Sequence, residues 1–162
     1  MPFSYHSFQA IWNREGGKEN AKCYSCGITH HEGFTLDCSH LVHTRDKNYD
    51  SPERGILECL ECHLRRHVSL YFFSLLKGKK KEIREARFAC QSLVFRIVAG
   101  EDRWDGINIP NTKSDIKRTK KRISNIFFQQ ISEATINSHE MGFEPKDILW
   151  ANHKVMLLKQ MI

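Results

Sequence analysis

Two Cys-x-x-Cys pairs constrain this chain more than anything else in it. Cys23-Tyr24-Ser25-Cys26 and Cys59-Leu60-Glu61-Cys62 are separated by 32 residues, and four thiolates paired in this way suit a tetrahedral Zn2+. The alternative is four free thiols buried in a core. The 162 residues suffice for one domain, or for one small domain with helical additions. The stretch between the pairs is poor in apolar residues, so a metal there would do what a hydrophobic core does elsewhere. In a reducing cytoplasm, the expected location, cysteines serve as metal ligands more readily than as disulfides. Of the remaining cysteines, Cys90 falls in a helical apolar pattern and is expected in a core. Cys38 is either a core residue or a spare thiol near the site.

Periodicity around these anchors predicts an α+β chain. Phe8, Ile11 and Trp12 share one face of a short helix that Gly16 and Gly17 end. Phe34, Leu36 and Cys38 alternate as in a half-buried strand, residues 46–54 read as a loop carrying Pro52, and Ile56 with Leu57 supply the returning strand. A helix is predicted over residues 61–77, with Leu64, Val68, Tyr71, Phe72 and Leu75 on one face and Gly78 at its end. Residues 82–99 carry a second helical pattern through Ile83, Ala86, Phe88, Cys90, Leu93, Val94, Ile97 and Val98, and residues 100–112 read as irregular. Residues 113–138 carry a third, basic in its first half and supplying Ile123, Ile126, Phe127, Ile131 and Ile136 in its second. Pro145 suits the first turn of a last helix over residues 145–161, with Ile148, Leu149, Val155, Leu158 and Met161 as its apolar positions. By the same spacing Tyr71, Phe72, Phe73, Phe127 and Phe128 are expected in the core. The expected division is residues 1–78 as the metal-stapled part and residues 79–162 as a helical extension.

Histidines crowd the same region. His63 and His67 stand four apart directly after the second cysteine pair. On a helix they share a face, with Cβ atoms about 6 Å apart, and their imidazoles can bind one divalent ion beside the zinc. The plainer alternative is two surface histidines on a basic helix, with Arg65 and Arg66 between them. His40 follows the predicted first strand, and an imidazole there can take a proton from water near neutral pH. Its alternative is a histidine satisfied by hairpin backbone.

Taken in order, Cys-x-x-Cys, a strand ending in His, then Cys-x-x-Cys-His-x-x-x-His over residues 20–68 resemble the HNH endonucleases, most of all the zinc-stapled members common in phages and bacteria. The resemblance implies a small ββα-metal unit, a hairpin followed by a helix, ahead of a mainly α-helical C-terminal part. It implies hydrolysis of DNA phosphodiester bonds in a bacterial or phage-infected cell, with His40 as general base. His63 and His67 would hold a catalytic divalent ion (Mg2+, Mn2+, Ni2+ or Zn2+), and Cys23, Cys26, Cys59 and Cys62 a structural Zn2+. Two positions depart from the family pattern. Ser39 stands where an Asp or His precedes the base, which leaves Asp37 or His43 as the substitute ligand. Arg54 stands where an Asn is expected, and Asn48 is the nearest Asn. Arg54 in the catalytic centre, and Arg45, Arg65 and Arg66 around it, are the candidates for neutralising phosphate charge.

The charge agrees with such a substrate. Lys and Arg number 25 against 19 Asp and Glu, a balance that favours a polyanion, DNA first with RNA left open. Residues 77–87 and 113–122 concentrate that charge and suit phosphate contacts without base choice; a solvated helix face is the alternative. No apolar run is long enough for a membrane span, and the first residues carry neither the charged nor the apolar region of a secretory leader, so neither is expected. Two functions follow: a metal-dependent endonuclease, or a non-catalytic zinc module that binds nucleic acid or protein. The C-terminal helices offer a surface on which a homodimer could form.

Overall fold

The computed structural model describes residues 3–30, 35–41, 48–98 and 113–160. They fall into two compact units, the first ending at His63 and the second beginning at Leu64.

The first unit opens with α1 (Tyr5–Arg14), capped by Ser4, whose Oγ accepts the Ser7 amide at 3.3 Å. Gly16, at φ +86°, ends this helix as its sequence requires and leads into the single turn α2 (Gly17–Asn20). The predicted hairpin is present as β1 (Leu36–His40) paired antiparallel with β2 (Gly55–Cys59), Leu36 opposite Cys59 and His40 opposite Gly55. The expected strand start at Phe34 lies outside the described residues. Strand alternation sends Leu36, Leu57 and Cys59 into a cluster with Phe3, Ile11 and Ala21, and the half-buried Cys38 packs against it. Asp37 and Glu58, paired across the strands, point to the other face. All of β2 is buried, although in the sequence only Ile56 and Leu57 mark it.

Gly55 fixes how closely α1 approaches the sheet. A Cβ there would collide with the Ile11 side chain and with the Phe3 ring. Gly55→Ala is therefore expected to destabilise the first unit by about 1–3 kcal/mol, the usual cost of overpacking a filled core. A urea titration followed by Trp12, which packs against this core, would report the shift in midpoint.

α3 (Leu60–Lys77) follows β2 with no intervening residue. From Leu64 onward it belongs to the second unit, where it buries Leu64, Val68, Tyr71, Phe72 and Leu75, the face its sequence predicts. Gly78, at φ +68°, ends it. α4 (Lys80–Val98), α5 (Lys113–Glu140) and α6 (Pro145–Lys159) complete this unit, with Pro145 in the first turn of α6 as expected. Several expected core positions prove to be on the surface. Phe88 is 72% exposed, because it stands two positions before the buried Cys90, about 200° around the helix. Ile136 is turned outward by the same two-residue offset from Ala134, and Leu149 and Phe128 lie one position beyond Ile148 and Phe127. Met161 lies outside the described residues. Among the described residues no helix is long and apolar enough to cross a membrane.

Candidate metal centre and active site

The first cysteine pair sits in a tight turn. The Cys23 amide donates to the Ile28 carbonyl at 2.8 Å, and the Cys23 carbonyl accepts from Gly27 at 2.9 Å, with Gly27 at φ +76°. The turn is tied to the sheet by the Tyr24 amide, which donates to Leu57 O at 2.8 Å, and by Ser25 Oγ, which donates to the fully buried Glu58 carboxylate at 2.5 Å. The second pair straddles the junction of β2 and α3, Cys59 ending the strand and Cys62 in the first helical turn.

These local structures bring the four sulfurs together. An ion about 2.3 Å from each of four tetrahedral sulfurs would separate them by about 3.8 Å. Cys26 Sγ and Cys59 Sγ are 3.8 Å apart, and all four sulfurs lie within 4.8 Å of one another. The Cys59 amide points at Cys23 Sγ, 3.4 Å away, as an amide does that supports a thiolate ligand. Hydrogen bonds from Cys59 and Cys62 hold the Cys23 thiol far below its usual range. The same bonds push Cys59 up to about 12 and raise Cys62 as well. Thiols this close do not ionise together unless a cation shares their charge. The cluster could hold a metal ion such as zinc, and among the described residues it is the one group of three or more His, Cys, Asp or Glu gathered so tightly.

His40 ends β1 and is 6% exposed. Its ring lies between Phe3, 3.8 Å away at 10°, and Tyr49, 4.0 Å away at 19°. His40 Nε2 is 3.2 Å from the Tyr49 carbonyl oxygen. A carbonyl accepts only, so Nε2 carries the hydrogen, and in the neutral ring Nδ1 is the basic nitrogen. Burial pushes the His40 pKa down against the bond to the Tyr49 carbonyl, which raises it, and the net shift favours the neutral ring. The segment holding Tyr49 is clamped from the N-terminal side: the Ser4 amide donates to Asp50 Oδ1 at 2.7 Å and Ser7 Oγ to Asp50 O at 2.5 Å. Arg14 adds bonds to the carbonyls of Pro52 and Gly55, at 2.9 and 2.7 Å.

On the opposite sheet face, Asp37 Oδ2 is 3.2 Å from His63 Nδ1. Ser39, which shares that face by alternation, is 1% exposed, and its Oγ has no hydrogen bond among the described residues. Arg54 is half-buried beside the end of β1, its carbonyl accepting the Leu41 amide at 2.8 Å. His67 lies one turn beyond His63 on α3, within the second unit. Arg65 bonds the Gln129 side chain, and Arg66 is half-buried. His43 and Arg45 lie outside the described residues.

The sequence reading missed Phe3, Tyr49, Asp50 and Glu58. Nothing local marks the first three, since each acts on a partner dozens of residues away or across a loop. Asp37 had a usable signal: it is two positions from Ser39, and strand periodicity puts both on one face. No known protein family, no curated protein and no solved structure matches this chain.

Proposed function

We infer that the protein is a metal-dependent endonuclease that hydrolyses DNA phosphodiester bonds, built on a ββα-metal unit. The observation that carries this reading is the 3.2 Å contact of Asp37 with His63 on the strand that ends in His40. A carboxylate and an imidazole so placed suit one divalent ion, and the HNH resemblance would add His67 as a second imidazole. Asp37 then replaces the Asp or His that the chain lacks at position 39. A bound Mg2+, Mn2+, Ni2+ or Zn2+ would supply Lewis-acid stabilisation of the departing 3′-oxygen.

The chain's own residues do the rest. His40 takes a proton from the attacking water at Nδ1, because its Nε2–H is committed to the Tyr49 carbonyl. Phe3 and Tyr49 hold the imidazole plane in place. Arg54, at the strand end beside His40, neutralises phosphate charge, while Arg65 is already engaged by Gln129. Zinc in the four-cysteine site would lock β2 to the start of α3.

Supercoiled plasmid incubated with the protein and each of the four ions is expected to become nicked or linear. Asp37→Asn should slow that reaction about 10- to 100-fold or more, the cost of losing even an outer-shell metal partner. Its Mn2+ dependence should shift to higher concentration. Absence of cleavage by the unaltered protein with every ion would favour a second reading, a non-catalytic zinc module that binds nucleic acid or protein. Three observations speak for that alternative: both faces of the His40 ring are covered, its Nε2 is bonded to the Tyr49 backbone carbonyl, and the ring lies on the sheet face opposite Asp37 and His63.

A further inference from the structure

We propose that the hairpin of α5 and α6 is a docking surface for the phosphate backbone of duplex DNA. Residues 116–132 of α5 carry five Lys or Arg and residues 148–160 of α6 carry two, and neither stretch contains Asp or Glu. The helices run antiparallel about the turn at Gly142, which sets the basic half of α5 beside the C-terminal half of α6. There Lys120 and Ser124 line one cavity of 210 Å³ with Met156, Lys159 and Gln160. Two ammonium groups, a hydroxyl and an amide over an apolar floor are a donor set for a phosphodiester group. Lys159 Nζ is held at the edge of this cavity, 3.5 Å above the ring of Phe128, which is 55% exposed.

The placement of this charge works against the isolated chain. Lys117, Arg118, Lys120 and Lys121 stand three and four apart on consecutive turns of α5, where like charges repel, and all four are exposed. A polyanion relieves that repulsion. A protein partner fits less well, because lysine is depleted from protein–protein interfaces and protein–DNA interfaces are strongly positive. The sequence pointed to residues 77–87 and 113–122; Lys159 joins the second stretch only in the folded hairpin.

The surface depends on the nuclease reading only in the choice of DNA as the polyanion. The test is binding of a short labelled DNA duplex by the full chain, without added divalent ion, across about 50 to 200 mM salt. Each phosphate contact releases counterions equivalent to a slope of about 0.9 in log K against log salt. The double variant Lys120→Gln/Lys159→Gln is expected to lower the slope by about 1.8, and to weaken binding at 0.1 M salt on the order of 50-fold. Lys146→Gln, at the other end of α6, should leave both unchanged. An unaltered slope in the double variant, an equal loss in Lys146→Gln, or an effect confined to phosphatidylserine vesicles would overturn the proposal. Plasmid nicking by the unaltered protein alongside an unaltered slope would sink this surface and leave the nuclease reading standing. A lowered slope in the double variant, with no nicking by the unaltered protein, would do the reverse.

Discussion

Cys59→Ser is expected to abolish stoichiometric zinc binding and to unfold the first unit while the helices of the second remain. Structural zinc in small domains binds with about 10–16 kcal/mol, as much as or more than the net stability of a typical domain, about 5–15 kcal/mol. The first unit has little to set against that loss, since its buried apolar cluster is small and itself includes Cys23 and Cys59. Elemental analysis should fall from one zinc per chain to none. Limited proteolysis should then cut within residues 1–63 and spare the helices that follow. Cys90→Ala, which removes a buried thiol of α4 in the second unit, should retain the full zinc content. Stoichiometric zinc in Cys59→Ser would mean that the four sulfurs do not share an ion.

The second large effect is expected at His40. A positioned general base contributes about 10²–10⁴-fold, so His40→Phe should slow plasmid nicking by that factor. Phenylalanine is the informative replacement because it keeps a flat ring between Phe3 and Tyr49. Alanine would open a cavity there costing about 3 kcal/mol, and so confuse lost chemistry with lost folding. The pH profile supplies an independent reading. The base acts as the neutral ring, so kcat/KM rises with pH as His40 loses its proton. Burial lowers its pKa, so the midpoint of that rise is expected below the ordinary histidine value of 6.5. His40→Phe should remove this limb from whatever activity remains. Nicking at the unaltered rate by a folded His40→Phe would end the assignment of His40 as base.

The features legible in the sequence were those with a short period or a fixed spacing. The four cysteines gather because each pair closes a turn of its own and the hairpin brings the pairs together, and spacing alone announces half of that. The face of α3 from Leu64 to Leu75 repeats every three or four residues and is buried as expected. β2 was harder, because a strand buried on both faces has no alternation to display, and Glu58 in its middle reads as polar surface while being fully buried. On α4 and α5 the sequence offers more apolar residues than one face can hold. Periodicity does not say which are left outside, and Phe88, Phe95 and Ile136 are. The surroundings of His40 were invisible for another reason: Phe3 and Tyr49 reach it by tertiary packing alone. The pairing of Asp37 with His63 likewise depends on how the sheet meets the start of α3.

The clamp of Ser4 and Ser7 on Asp50 has a practical bearing on how the protein is handled. Trimming the chain through its eighth residue would delete one wall of the His40 enclosure and loosen the other, while every cysteine of the metal cage stayed in place. Such a shortened protein would still take up zinc, yet its histidine, newly wetted, would hold its proton more firmly. On the endonuclease reading, a preparation that loses those first residues would cleave poorly for a reason far from the cut.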